Sequence, residues 1–310
     1  MKFLILGSGS IAMRHYNNLK KIGYKNINFF TKNQKFRKSY KNSYDNLKTA
    51  IKKTEPDIAI ICNSTHLHVR TAITCAKHGL HLFIEKAVTH KISRCKDLIN
   101  IVKKKKLNNM VGYMLRFHPA VSIIKKFLAN KKNSKPYFVY SEWGEYLPQW
   151  QANRNYKISY AANKEMGGGV SLTLSHDLDL LFFLFGRVKE IYNSKIEKLF
   201  LNINCDTASD YLIKFNNKLN GLVHLDYLQK RNSRYLKIVG KNYKIVFEYL
   251  KNKLKIEFKN HVKKYYFKKF ERNDMFIAEI KYFLSCIKKN KKANPSIKES
   301  VKMMKSFNLI

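Results

Sequence analysis

The chain has 310 residues, 45% of them hydrophobic, which is enough for two cores and excludes a disordered chain. Its net charge of +40 points towards nucleic acid, but only ten of the 61 basic residues are arginine and the lysines are spread along the whole chain. Arginine is the better reader of phosphates and base edges, so the expectation is a solvated lysine surface that steers anionic ligands, with no nucleic-acid partner.

Residues 3–6 (FLIL) form a short apolar run with strand character. Gly7 and Gly9 break it, and from Ile11 the apolar residues recur at helical spacing, closing at Gly23. Strand, glycine turn and helix in that order suit a dinucleotide. Gly7 allows the tight turn, Gly9 the approach of a pyrophosphate, and Ala12 close helix–strand packing, with the phosphates on the helix N-terminus. A second strand is expected at 27–30. Where an acidic residue would grip the 2′-hydroxyl of NAD, the chain has Thr31 and Lys32, with Lys35 and Arg37 following. Cations there suit a 2′-phosphate and favour NADP over NAD.

Residues 57–62 (DIAIIC) read as a buried parallel strand ending at Asn63, and Thr65 is placed to cap a helix running to Gly79. Residues 80–84 form the next strand, ending in Glu85-Lys86-Ala87. A helix from about Ser93 and a strand at 110–113 follow. Ligands of open α/β sheets gather at the carboxyl ends of the strands, which places Gly7, Asn63, Thr65, Glu85 and Lys86 around one crevice.

Beyond residue 117 the texture changes. Helical spacing reaches Phe127, residues 137–146 read as a long strand, and 147–164 as a loop rich in Tyr, Asn and Gln that carries Trp150. Gly167 to Gly169 open a helix expected to run unbroken over 170–185. Several strands follow from 191 to about 267, with turns at 216–217 and 240–242, and two helices at 273–288 and 296–304 close the chain. Val223, Leu225 and Tyr227 alternate with His224 and Asp226, and their mixed surface is expected to serve for pairing between copies. The fold class expected is α/β: a Rossmann, doubly wound parallel sheet over residues 1–117, then an α+β domain over 118–310 built on a large, mostly antiparallel sheet.

The five cysteines are odd in number and lack C-x-x-C spacing, as in a reducing compartment, and no apolar run approaches eighteen residues. A cytoplasmic protein with no membrane partner is expected. His66, His68 and His118 lack acidic or thiol companions at ligand spacing, so no metal is expected.

Five stretches, GSGSIAMRH, CNSTHLH, FIEKAVTH, GYMLRFHPA and GGGVSLTLSHDLDLLFFLFG, resemble in order the Gfo/Idh/MocA oxidoreductases, relatives of glucose–fructose oxidoreductase and inositol dehydrogenase. The segment HLDYLQKRNSRYLKIVG resembles the sheet of that family's second domain. The resemblance implies hydride transfer between nicotinamide and a carbon of a sugar, nucleotide sugar or polyol, in a homodimer or homotetramer. It also implies cofactor contacts from Ser10, Ile11, His68 and Arg116, besides the residues above. The family's EKP lysine falls on Lys86, and the histidine of its second-domain motif on His176. SEWGEYLPQW resembles a branch linked to bacterial surface-sugar synthesis.

Oxidising an alcohol requires removal of a hydroxyl proton as hydride leaves. A lysine beside a cation titrates closer to neutrality, and a histidine titrates there unaided, so Lys86 and His176 are the proton-transfer candidates. Thr173 stands where the family has an acid, and Asp179 shares a helical face with His176 and is placed to orient it. Ala87 replaces the EKP proline; a cis bond costs a non-proline residue about 2.5–4 kcal/mol, so a trans peptide is expected. Two alternatives stay open: a catalytically weakened relative acting as scaffold or regulator, and a nucleic-acid-associated protein.

Overall fold

A computed structural model describes residues 1–150, 155–197 and 199–310. The chain forms two compact units. The first comprises residues 1–113, 276–302 and 310; the second comprises 114–275 and 303–309.

In the first unit, strands β1 (Phe3–Leu6), β2 (Ile27–Phe30), β3 (Ser43–Tyr44), β4 (Ile58–Ile61), β5 (His81–Glu85) and β6 (Asn109–Gly112) form one sheet. Its order is β3-β2-β1-β4-β5-β6, with every pairing parallel. All residues of β1 and β4 are buried, which is why both read as unbroken apolar runs. The helices are α1 (Ser10–Lys21), α2 (Gln34–Ser39), α3 (Leu47–Thr54), α4 (His68–Lys77) and α5 (Cys95–Lys104). The sequence reading missed α2, α3 and β3, because the lysine-rich stretch between β2 and β4 has little apolar periodicity. The signal present was capping: Asn33 accepts from the amide of Phe36, and Asn46 from that of Thr49.

Gly7 is the one position at the turn where no side chain fits. Its φ is +132°, and a Cβ there would stand 2.8 Å from the Cys62 carbonyl oxygen. The end of β1 thus lies directly against the end of β4.

In the second unit, α6 (Pro119–Ala129) precedes β7 (Pro136–Tyr146). The loop expected over 147–164 contains short turns at Leu147–Gln149, Tyr156–Ile158 and Tyr160–Ala162; its residues 151–154 lie outside the described ones. The single helix expected over 170–185 is two, α7 (Val170–Thr173) and α8 (His176–Phe185). The Thr173 hydroxyl donates back to the Gly169 carbonyl at 2.8 Å and meets the Tyr227 hydroxyl, a pairing that bends and ends a helix. The segments on either side of the break make an angle of 54°.

Strands β8 (Val188–Glu197), β9 (Asp206–Phe215), β10 (Asn220–Asp226), β11 (Leu228–Gly240), β12 (Tyr243–Glu248), β13 (Lys253–Glu257) and β14 (Val262–Tyr266) complete an eight-stranded sheet with β7. All its pairings are antiparallel except β7 with β10. Helices α9 (Arg272–Lys288) and α10 (Ile297–Ser306) end the chain, and residues 276–302 pack with the first unit.

The expected pairing face requires correction. Val223, Leu225 and Tyr227 are all fully buried, in the core of the unit. The open side of the sheet is the alternate set, in which Tyr192, Leu212, Leu222 and Tyr140 stand in one cross-strand row. Tyr192 is 69% exposed and Leu212 59%. Alternation alone gave two faces; the helices decided which was covered.

Candidate functional site

The first unit carries the expected nucleotide residues at the carboxyl ends of its strands. Helix α1 begins at Ser10 with Gly9 as its N-cap; no side chain caps it and no acid lies in its first turn. The amides of Ser10, Ile11 and Ala12 are thus left for an anion, and a Cβ on Gly9 would meet nothing within 4 Å. That open, uncapped and positive end fits a pyrophosphate. Asn63, just beyond β4, donates its amide to Thr71 at 3.0 Å, while its buried Oδ1 has no hydrogen-bond partner among the described residues. It is an acceptor left over for a ligand.

Thr65 is buried and opens a short turn at Thr65–Leu67, so it does not cap α4, whose N-cap is Leu67. His68 is buried, with Nδ1 2.8 Å from the Ala87 carbonyl and Nε2 2.8 Å from the Asn63 carbonyl. Burial pushes its pKa down, so the ring is neutral and donates to one of the two at a time. It ties the end of β4 to the residue after Lys86. The Lys86–Ala87 peptide is cis, where the absence of proline led to the expectation of trans.

At the end of β2, Thr31 is buried and donates to the Ser8 hydroxyl at 3.0 Å, while Lys32 is exposed. Arg37 forms an ion pair with Asp45, which holds that carboxyl below its usual range. Asp45 lies just past β3, far enough along the sequence to have escaped the reading of this corner. Glu85 is buried at the end of β5, with Oε1 2.7 Å from Nε2 of His15, and Lys86 is half-buried beside it.

The second unit holds His176, Thr173, Asp179 and Arg116. His176 is 5% exposed, is the first residue of α8 and lies with its ring 5.9 Å from that of Trp143. Both Asp179 oxygens accept from Arg116, from Nε at 2.7 Å and Nη2 at 2.6 Å, in a buried bidentate pair. The Arg116 guanidinium also stands 4.6 Å from the Phe183 ring centre. Next to His176, Asp177 accepts from Ser141 at 3.1 Å and from Arg234 at 2.6 Å, and Arg234 stacks on Trp143 at 3.7 Å. The sequence reading missed Ser141, Trp143 and Arg234, which fix the start of α8 from β7 and β11. His118 is the N-cap of α6: its Nδ1 accepts from the amide of Ala120 at 3.0 Å, and burial lowers its pKa to about 4, which keeps that nitrogen an acceptor.

Residues 1–113 match the family model of the Gfo/Idh/MocA oxidoreductases, described as an oxidoreductase family with an NAD-binding Rossmann fold. Levoglucosan dehydrogenase of Pseudarthrobacter phenanthrenivorans is 29% identical over 141 residues. That stretch is 44% of this chain and 35% of the relative, so the match spans about a third of the curated relative's length. A solved structure of levoglucosan dehydrogenase with NADH and levoglucosan superposes with a TM-score of 0.87 at 18% identity, covering 100% of this chain and 96% of the other. UDP-N-acetylglucosamine 3-dehydrogenase from Acidithiobacillus ferrooxidans gives 0.81 at 17%, covering 99% and 95%. Residues 1–113 thus match the NAD-binding Rossmann unit of the Gfo/Idh/MocA oxidoreductases, and the chain shares its two-unit fold with these solved structures along its length.

Proposed function

We propose that the protein is an NAD(P)-dependent dehydrogenase acting on the CH–OH group of a sugar, nucleotide sugar or polyol. The observation that carries this is the uncapped N-terminus of α1 behind Gly7 and Gly9, in the same unit whose strand β5 is followed directly by Lys86. The names of the relatives, levoglucosan dehydrogenase and UDP-N-acetylglucosamine 3-dehydrogenase, support the substrate class.

The nicotinamide, when bound, accepts or returns the hydride of the substrate carbon. The chain's own residues do the rest. Ser10, Ile11 and Ala12 hold the pyrophosphate through their amides, and Asn63 offers Oδ1 to the ribose or carboxamide. Lys86 Nζ takes the hydroxyl proton as the carbon–hydrogen bond breaks and gives it back in reduction. His176 is the second candidate for that proton. Asp179 holds Arg116 and thereby fixes the first turns of α8, and Thr173 offers its hydroxyl oxygen to a substrate hydroxyl.

NADP is preferred over NAD on the strength of the exposed Lys32 and Lys35, because Arg37 is already paired with Asp45. The assembly is a homodimer or homotetramer that pairs through the open sheet face carrying Tyr192 and Leu212. The setting is the cytoplasm: all five cysteines are free and buried, and no single helix among the described residues is long and apolar enough to cross a membrane.

The test is a panel of sugars, polyols and nucleotide sugars assayed for NAD(P)H formation or consumption, with Lys86→Met and His176→Ala beside the parent chain. On the substrate found, Lys86→Met is expected to lose about a hundredfold or more in kcat, with NADH affinity retained. Intact turnover in Lys86→Met would remove the lysine from the mechanism.

A further inference from the structure

At the end of β5, the first unit encloses a polar cluster that the proposed chemistry does not use. His15 of α1, Glu85 of β5 and Glu279 of α9 are all buried, and one nitrogen or oxygen from each lies within 4.8 Å of the other two. The walls are apolar. The His15 ring stands edge-on to Phe83 at 5.1 Å and to Phe276 at 6.2 Å. A Cβ on Gly112 would stand 3.3 Å from Glu85 Oε1, so the bare backbone of β6 leaves room for that carboxyl.

The three polar groups are unequally satisfied. Glu85 Oε1 lies 2.7 Å from His15 Nε2, the distance of an N–H donating to a carboxylate. Glu279 is 0% exposed, and neither of its oxygens has a hydrogen-bond partner among the described residues. An ionised carboxylate without a partner in an apolar wall is far costlier than a neutral acid, whose proton can be directed at a neighbouring carboxylate.

We propose that Glu279 carries a proton in the folded chain and is the positioning residue for Glu85. A neutral Glu279 leaves Glu85, which accepts from His15, without a second negative charge within 4.8 Å of the carboxylate that precedes Lys86. The consequence for Lys86 rests on the function proposed above; the proton on Glu279 does not.

The groups facing Glu279 are few. Glu85 comes from β5, His15 from α1, and the Cys62 thiol from the end of β4, where burial and then the two glutamates push its pKa well up. Helix α1 also brings Arg14, whose guanidinium lies 4.7 Å from the centre of the Phe276 ring. Burial, and then the charge of Glu85, hold the Glu279 pKa well above 4.5. The sign follows: above about 4.5 the unfolded chain gives up a proton that the folded chain keeps, so rising pH favours unfolding until the folded pKa is passed.

The experiment compares thermal unfolding of the full chain and of Glu279→Gln, a neutral group of the same shape, from pH 5 to 9. The difference between the two removes the contribution of the lysine-rich surface. The parent Tm is expected to fall relative to that of the variant by about 2–4 °C per pH unit while Glu279 remains protonated. NADH affinity of Glu279→Gln at pH 6.5 should stay within about twofold of the parent. An infrared band of a protonated carboxyl group should be present at pH 7 in the parent and absent from the variant, a reading independent of relative stability. Parallel Tm curves, or no such band, would overturn the proposal. A zinc-dependent rise in the parent Tm that Glu279→Gln abolishes would also overturn it, by making the cluster a cation site. Failure of Lys86→Met to lose turnover would leave all of these measurements unchanged, so the two readings fail separately.

Discussion

Arg37 and Lys32 read alike in the sequence, as cations after β2, and the fold pairs one of them with an acid. Asp45 holds Arg37, so its charge is largely spent, whereas Lys32 is exposed. A single solvated lysine contributes little, on the order of 1 kcal/mol, so the NADPH preference should be modest, about tenfold or less. Fluorescence titration of both cofactors checks this, with Lys32→Ala expected to bring the two affinities together and Arg37→Ala to change the ratio less. The same contrast runs through the other site residues. His68 and Arg116 both read as cofactor contacts; His68 is a buried tie between two carbonyls, and Arg116 is locked on Asp179. Residue type announced each polar group; the fold chose its partner.

At the scale of the element, the large sheet shows how one strand holds two environments. On β10, Val223 and Leu225 are buried while His224 between them lies on the open side. There it is held between Asp210, 2.7 Å from Nδ1, and Asp226, 2.9 Å from Nε2. The hydrogen bond to Asp226, with that to Asp210, raises its pKa to about 9 despite partial burial. Because the folded pKa lies above the unfolded 6.5, this stabilisation is fully present below pH 6.5 and is lost as pH rises through about 9. Thermal unfolding from pH 6 to 10 should therefore show a decline that His224→Gln flattens. The charge is shared between strands β9 and β10, so the effect should appear as a shift of the whole transition.

The molecule has a six-stranded parallel sheet and an eight-stranded mixed one, and the mixed sheet exposes Tyr192 and Leu212. Tyr192, Leu212, Leu222 and Tyr140 lie across its strands β8, β9, β10 and β7, apolar enough to pair with a second copy and too regular to be a random surface. Light scattering in moderate salt, where lysine repulsion is screened, should show a dimer or tetramer. Leu212→Glu should shift the assembly towards monomer while Val223→Ala, in the core, should lower Tm instead. A strict monomer at micromolar concentration in the parent chain would remove the pairing role from this face.

The glycine turn, the parallel order of apolar strands and the change of texture near residue 117 were legible because they rest on local properties: backbone freedom at Gly7, burial on both faces of β1 and β4, and periodicity. Lys86 and His176 stand out in the sequence because one follows β5 and the other begins α8, each at a recognisable motif. The sequence could not settle which face of β10 is covered, that the helix over 170–185 breaks after Thr173, that Asp45 pairs with Arg37, or that Arg234 and Glu279 stand beside residues far from them in the chain. Those outcomes depend on partners brought together by packing. For a buried polar group the partner outweighs the residue's own preference, since an unpaired charge in the interior costs more than any local propensity returns.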